Sequence, residues 1–343
     1  MGSPRAIFRI AVALVAVALA ACAHAPPAAP PPLPESVWPA PPAAPRVRLA
    51  QVWTSPVGAA PARSVWSRAW RTLVGLGDED EDAPRFVRPF GVFGDADGSL
   101  LVADADAAFV VRTRTGAPST FLACEGAPWG APMAVATSHR GDVYVVDAGA
   151  RAVVRVDPQG HCAPLASGAF ERPTGIAIHG DRIYVADPPL HHVAVLSLAG
   201  ALVATIGTHG EGDGELNFPT GVAVDAAGDL LVVDALNFRI ARFGPDGAWR
   251  GAFGASLPEG GAFAMPKSIA TAEDGRIYVS DAQLDAVLVF GPDGTFEYAF
   301  GVSGDEPGHF VHPAGVATSR GRVFVADSYA ARVQAFEFLG VTR

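Results

Sequence analysis

Three groups of side chains in this 343-residue sequence could do chemistry. The first is a row of aspartates, Asp104, Asp147, Asp187, Asp234, Asp281 and Asp327, each 14 or 15 residues after a proline. Convergent carboxylates could hold a divalent cation or share a proton. Each of these, however, closes a short apolar strand, as in Leu101-Val102-Ala103-Asp104. Such ends lie off any common axis, and bonding to the amides of the following loop accounts for an aspartate there. The second group is histidine: His191-His192, His209, and His309 with His312 three residues on. Zinc would need several such ligands converging, and these fall in loops, where solvent exposure is expected. The third group is the cysteines, Cys22, Cys124 and Cys162. A Ser nucleophile elbow, a P-loop and a CxxC pair are all missing. No catalytic residue, metal site or cofactor is therefore assigned.

The elements that would position these residues repeat along the chain. A proline opens a short strand at Pro89, Pro132, Pro173, Pro219, Pro266 and Pro313, with spacings of 43, 41, 46, 47 and 47 residues. The fourth copy is the clearest. Gly221 to Asp225 reads as a first strand, Leu230 to Asp234 as a second, Arg239 to Phe243 as a third and Ala248 to Phe253 as a fourth. A Pro245-Asp246-Gly247 hairpin turn joins the last two. The second strand is apolar on both faces, as a strand buried between neighbouring sheets must be. Ala136, Ala177, Ala223, Ala270 and Ala317 sit mid-way along the first strands, where converging sheets leave room only for small side chains. Units of this length with four strands each predict an all-β fold, a six-bladed β-propeller of four-stranded antiparallel blades.

These motifs resemble NHL repeats: a Pro-x-Gly-Val-Ala strand, a Tyr-Val-Ala-Asp strand, an Asn-x-Arg-Ile segment and an Asp-Gly turn. The linkers Gly212-Asp213-Gly214-Glu215-Leu216-Asn217-Phe218 and Gly304-Asp305-Glu306-Pro307-Gly308-His309-Phe310 are similar to the family's inter-blade loop. The resemblance covers about residues 86 to 338, and only the fourth copy has the family's Asn, Asn237. It implies a ligand-binding face at the mouth of the central channel, lined by the residue after each proline: Phe90, Met133, Thr174, Thr220, Lys267 and Ala314. Peptidyl-hydroxyglycine amidating lyases resemble this ring but place zinc-binding histidines there, and gluconolactonase-like propellers hold calcium with Glu, Asn and Asp. None of the six residues here is His, carboxylate or amide. Lys267, the only lysine in the chain, either meets an anionic group of a partner or pairs with a loop carboxylate such as Glu259.

The sixth repeat stops near Phe338, after its third strand. Arg46 to Thr54 is a spare strand with Val47, Leu49, Gln51 and Trp53 on one face, and it is expected to close the ring. Between this strand and the first blade lies an insertion, 55–85, in which Val65, Trp66, Ala69, Trp70 and Leu73 share a helical face. Before the strand, residues 22–45 are an Ala/Pro-rich tether favouring polyproline II. Residues 1–21 read as a signal peptide, with Arg5 and Arg9 ahead of an apolar stretch. Leu19-Ala20-Ala21-Cys22 resembles the lipobox of bacterial lipoproteins, which implies acylation at Cys22 and an envelope location, the outer membrane by its neighbour Ala23. In that oxidising compartment Cys124 and Cys162 would form a disulfide or remain two thiols.

Composition narrows the classes further. Half the residues are hydrophobic, enough for a large core, and the apolar run Ile10 to Ala21 is too short to span a bilayer. A net charge of −10, with one lysine among 25 basic residues, makes the chain a poor candidate for binding nucleic acid, which requires a basic stripe. The expected protein is a monomeric lipid-anchored propeller, residues 46–343, acting as a scaffold for an envelope protein, peptide or glycan. The alternative is a lyase- or lactonase-type enzyme working at the same mouth.

Overall fold

The computed structural model describes residues 36–39, 43–56, 84–114, 117–124, 128–254 and 263–339. Cys22 and the signal segment, the expected helix of the insertion, and Glu259 lie outside the described residues. Two N-terminal strands, β1 (Val37–Trp38) and β2 (Val47–Trp53), precede the repeats. Blade one is β3 (Pro89–Gly94), β4 (Leu100–Asp104), β5 (Phe109–Arg114) and β6 (Ala117–Leu122). Blade two is β7 (Pro132–Thr137), β8 (Val143–Asp147), β9 (Ala152–Val156) and β10 (Cys162–Leu165). Blade three is β11 (Gly175–His179), β12 (Arg182–Asp187), β13 (His192–Ser197) and β14 (Leu202–Ile206). Blade four is β15 (Pro219–Val224), β16 (Leu230–Asp234), β17 (Arg239–Phe243) and β18 (Trp249–Phe253). Blade five is β19 (Pro266–Thr271), β20 (Ile277–Asp281), β21 (Ala286–Phe290) and β22 (Phe296–Phe300). Blade six is β23 (Pro313–Ser319), β24 (Arg322–Asp327) and β25 (Arg332–Phe338), completed from the N-terminus in the order β1-β2-β25-β24-β23. Every pairing within a blade is antiparallel. The architecture is a six-bladed β-propeller closed by an N-terminal strand.

The hydrophobic core is divided among the junctions between blades. Tyr144 and Val146 of blade two meet Ile183, Val185 and Leu196 of blade three. Tyr184 and Val195 meet Val222, Leu230 and Val232 at the next junction, and Leu231 and Val233 meet Ile269, Ile277 and Val279 at the one after. The second strands contribute alternate side chains to both neighbours, which is why β4, β8, β16 and β20 are buried along their whole length. At the axis the first strands approach backbone to backbone. A Cβ on Gly91, Gly175, Gly221 or Gly315 would stand 2.6, 2.7, 2.9 or 2.3 Å from a carbonyl oxygen of the next blade, so in these four blades the glycine after the post-proline residue allows the close approach, while Ala134 and Ser268 hold that place in the other two.

Ring closure departs from the expectation in two respects. The pairing of β2 with β25 shifts between Leu49 and Gln51, a bulge that turns the strand's second half over. Val47 and Leu49 consequently pack with Phe300 and Phe336 against blade five, whereas Trp53 packs with Val92 and Phe324 against blade one. Val47, Leu49, Gln51 and Trp53 do not share one face. The tether also ends earlier than residue 45. Val37 and Trp38 pair with Arg48 and Val47 as a fifth strand, and the Trp38 ring stands edge-on to Phe336 at 5.6 Å.

Candidate functional site

The mouth is built from the aspartates outward. Each carboxylate accepts a backbone N–H from the linker that enters its own blade: Val87 to Asp104 (2.8 Å), Gly130 to Asp147 (2.7 Å), Glu171 to Asp187 (2.7 Å), Asn217 to Asp234 (2.6 Å), Ala264 to Asp281 (2.7 Å) and Val311 to Asp327 (2.7 Å). Asp104, Asp147 and Asp281 also take amides of the following loop, as the sequence reading expected. The six are at most 2% exposed, and each serves as a latch between its second strand and the residues ahead of the proline. Among the described residues no group of three or more His, Cys, Asp or Glu is placed to hold a metal ion.

The latches aim two concentric rows at the axis. The six residues after the prolines, Phe90, Met133, Thr174, Thr220, Lys267 and Ala314, all line one cavity of about 460 Å³. The six residues before the prolines line it as well: Arg88, Ala131, Arg172, Phe218, Met265 and His312. This second row was missed. Its signal was present in the repeat frame, because each member sits one place ahead of an aligned proline. Below the mouth a narrower channel of about 210 Å³ runs between the first strands.

The chemistry of the mouth is set by which groups are already engaged. The Thr174 hydroxyl donates to the Thr220 carbonyl at 2.9 Å, so it clasps neighbouring blades. Arg88 is paired with Asp106 at 2.8 Å. His312 donates its backbone N–H to Asp285, and its ring lies 5.0 Å from that of Tyr329. Lys267 is half-buried, and among the described residues no carboxylate lies within ion-pair distance of it. Burial pulls its ammonium below the usual lysine range; Asp281 opposes this and Arg172 adds to it.

Exposed apolar side chains stand on loops of the same face, and Tyr329 among them lines the cavity. Leu190, Leu236, Phe238, Leu284 and Tyr329 lie in the loops between second and third strands, with Val87 in the linker to blade one, and they are 36 to 68% exposed. His191 Nδ1 accepts the Phe218 amide at 3.2 Å, and its ring centroid lies 4.0 Å from that of His209. Burial, and then the charge of His209, hold His191 below the usual histidine range. His191 is thus half-buried, unlike the expectation for loop histidines, whereas His209 is exposed as that expectation has it. On the ring's outside, Cys124 and Cys162 are joined in a disulfide that ties blade one to blade two.

The fold and its repeated latches define a six-bladed propeller carrying NHL repeats. The model of the NHL repeat matches residues 216–243 and 310–336. Those segments belong to the two blades in which an arginine, Arg239 or Arg332, reinforces the latch aspartate. Among solved structures, a virginiamycin B lyase from Staphylococcus aureus is similar over 73% of this chain and 95% of its own, at 14% identity and a TM-score of 0.56. A gluconolactonase from Xanthomonas campestris is similar over 74% of this chain and 86% of its own, at 17% identity and a TM-score of 0.57. A chain from a nidogen–laminin complex is similar over 73% and 91%, at 16% identity and a TM-score of 0.55. At such identities the likeness is one of fold. Among the described residues no helix is long and apolar enough to cross a membrane.

Proposed function

We propose that this protein is a lipid-anchored propeller that presents its channel mouth as a binding face for an envelope protein, peptide or glycan. The observation that carries the reading is the convergence of the residues flanking all six prolines on one cavity, on a face whose loops carry exposed apolar side chains. A mouth of this volume is within the range of ligand pockets. Exposed apolar side chains that gather into one patch mark contact surfaces. Acylation at Cys22 would hold the domain at a membrane without a spanning helix. The protein would be a monomer that needs no cofactor and binds no nucleic acid, in keeping with its acidity.

An enzyme of lyase or lactonase type is the second reading. It is favoured by the shared fold and by His312 at the mouth. Against it, none of the six post-proline residues is an acid or an imidazole.

Two measurements test the proposal. Cys22→Ser should move the protein from the membrane to the soluble fraction with its melting temperature unchanged; continued pelleting would assign retention to other residues. Lys267→Ala should weaken retention of an envelope component on the immobilised protein without altering its melting. One equivalent of zinc or calcium, lost on chelation together with a lyase or lactone-opening activity, would overturn the scaffold in favour of the enzyme.

A further inference from the structure

We propose that the occupant of the mouth is a carboxylate carried on an apolar body, with Lys267 and Arg172 receiving the carboxylate. The inference rests on the reading of the mouth as the binding face. The ionisable groups facing the cavity are Arg88, Asp106, Arg172, Lys267, His312 and Tyr329. Arg88 and Asp106 cancel one another. Arg172 and Lys267 then remain as two cations with no ion-paired carboxylate among the described residues, in a chain whose net charge is −10. The acid felt most by Lys267 is Asp281, and its oxygens are already occupied by the amides of Ala264, Met265, Gln283 and Leu284.

A half-buried ammonium that faces a second cation is unfavourable unless an anion enters between them, because partial desolvation weakens its hydration and strengthens any new ion pair. Selection against a plain inorganic anion comes from the walls. Phe90, Met133, Phe218 and Met265 line the same cavity as the cations and present apolar surface to it. The hydroxyl of Thr174 is committed to the neighbouring backbone and offers no further donor. Such a site favours a single carboxylate at the end or side of an apolar group. Both a free amphiphilic acid and the carboxyl end of an apolar peptide have this chemistry.

The methionines provide the readout. The chain has three, of which Met133 and Met265 line the mouth and Met1 is the first residue of the signal segment. Methyl-labelled methionine should therefore give two mouth resonances in the mature domain. Titration with octanoate should shift both, saturably, whereas octanol should bind at least about tenfold more weakly. N-acetyl-Leu-Leu with a free carboxyl end is the second arm and its amide the control. Preference for the dipeptide acid over octanoate would identify a peptide end as the source, and the reverse preference a free acid. Lys267→Gln and Arg172→Met should each weaken acid binding about tenfold, with the octanol response unchanged. Equal binding of acid and alcohol, competition by inorganic phosphate as strong as by octanoate, or indifference to both substitutions would overturn the carboxylate assignment. It would leave the mouth as a binding face if the methyls still responded. Silence of both methyls to every probe would overturn this inference, while retention of an envelope component on the immobilised protein would decide the broader reading separately.

Discussion

Arg332 Nε and Asp327 Oδ2 lie 2.6 Å apart with both side chains almost wholly withdrawn from solvent. Arg239 and Asp234 repeat the relation at 2.8 Å in blade four. Each arginine also reaches carbonyls of the linker entering its blade: Asp305 and His309 for Arg332, Gly212 and Glu215 for Arg239. One guanidinium thereby ties the linker, the latch aspartate and the third strand together. Burial pushes the Asp327 carboxyl above the usual range, although the Val311 amide and Arg332 pull it back. The pair is thus a device for holding a linker in place more than a source of net stability.

Removing one member strands the other. Arg332→Met should cost about 3–5 kcal/mol, because a buried carboxylate loses its counterion and at least two carbonyls lose a donor. Urea denaturation would measure it. A loss below about 1 kcal/mol, the scale of an exposed pair, would mean that the linker is held by its own packing.

What could be read from the sequence divides along the same line. The Pro-to-Asp interval placed every blade and the post-proline row, because that interval is local and repeats six times. The latches were only half visible. Their loop bonds are three residues long, but the bond from Val311 to Asp327 crosses a hairpin and exists only once the blade has formed. Of the pre-proline row only Phe218, in a linker, and His312, among the loop histidines, stand out in the sequence, because the cavity that joins the six exists only in the closed ring. In β2 the bulge at Leu49–Gln51 defeats the period-two pattern, so Gln51 was placed on the apolar face. The β1 strand is two residues long, too short for any period to appear.

Ring closure depends on β2. Leu49 is 5% exposed, and Leu49→Ala should cost about 2–5 kcal/mol. Deleting residues 46–54 should do more, leaving β25 as an unpaired apolar edge that aggregates on warming. Differential scanning calorimetry of the two variants would show the gradation. Melting of the deletion variant at the temperature of the parent would place the closing strand elsewhere.

His191 should make stability pH-dependent in one direction. Its folded pKa lies below the ordinary value near 6.5, so both states are neutral above that value and the full contribution is present. As the pH falls below about 6.5 the unfolded chain takes up the proton first, and stability declines until the folded pKa is passed. His191 has φ +53°, which asparagine tolerates, and an asparagine side chain still carries an acceptor for the Phe218 amide. His191→Asn should therefore lose less stability than the parent between pH 7.5 and pH 5.5 in chemical denaturation. Parallel losses in the two proteins would remove His191 from the explanation.

The disulfide closes a separation of 38 residues between the outer parts of blades one and two. Constraint of the unfolded chain predicts about 2–4 kcal/mol for a loop of that size. Cys124→Ser with Cys162→Ser should show this loss in the absence of reductant, and reduced parent protein should match the double variant. Equal stability of oxidised parent and double variant would show that the bond adds nothing to the ring.

The exposed apolar side chains offer a comparison matched for chemistry and exposure. Leu236 and Phe238, on the face that carries the mouth, are 53% and 43% exposed; Leu202 and Val203, on the outer strand β14, are 54% and 51% exposed. Aspartate at either pair should change stability by no more than about 0.5 kcal/mol per site, since neither pair belongs to a core. Binding should separate them. An aromatic and a leucine in the centre of a contact lose about 2 kcal/mol or more when truncated or charged, roughly thirtyfold in affinity, whereas residues outside it lose nothing. Leu236→Asp with Phe238→Asp should abolish retention of an envelope component on the immobilised protein, and Leu202→Asp with Val203→Asp should leave it intact. Loss with the outer-strand pair alone would move the interaction to the exposed edge of blade three, where strand addition would replace the mouth as the mode of binding.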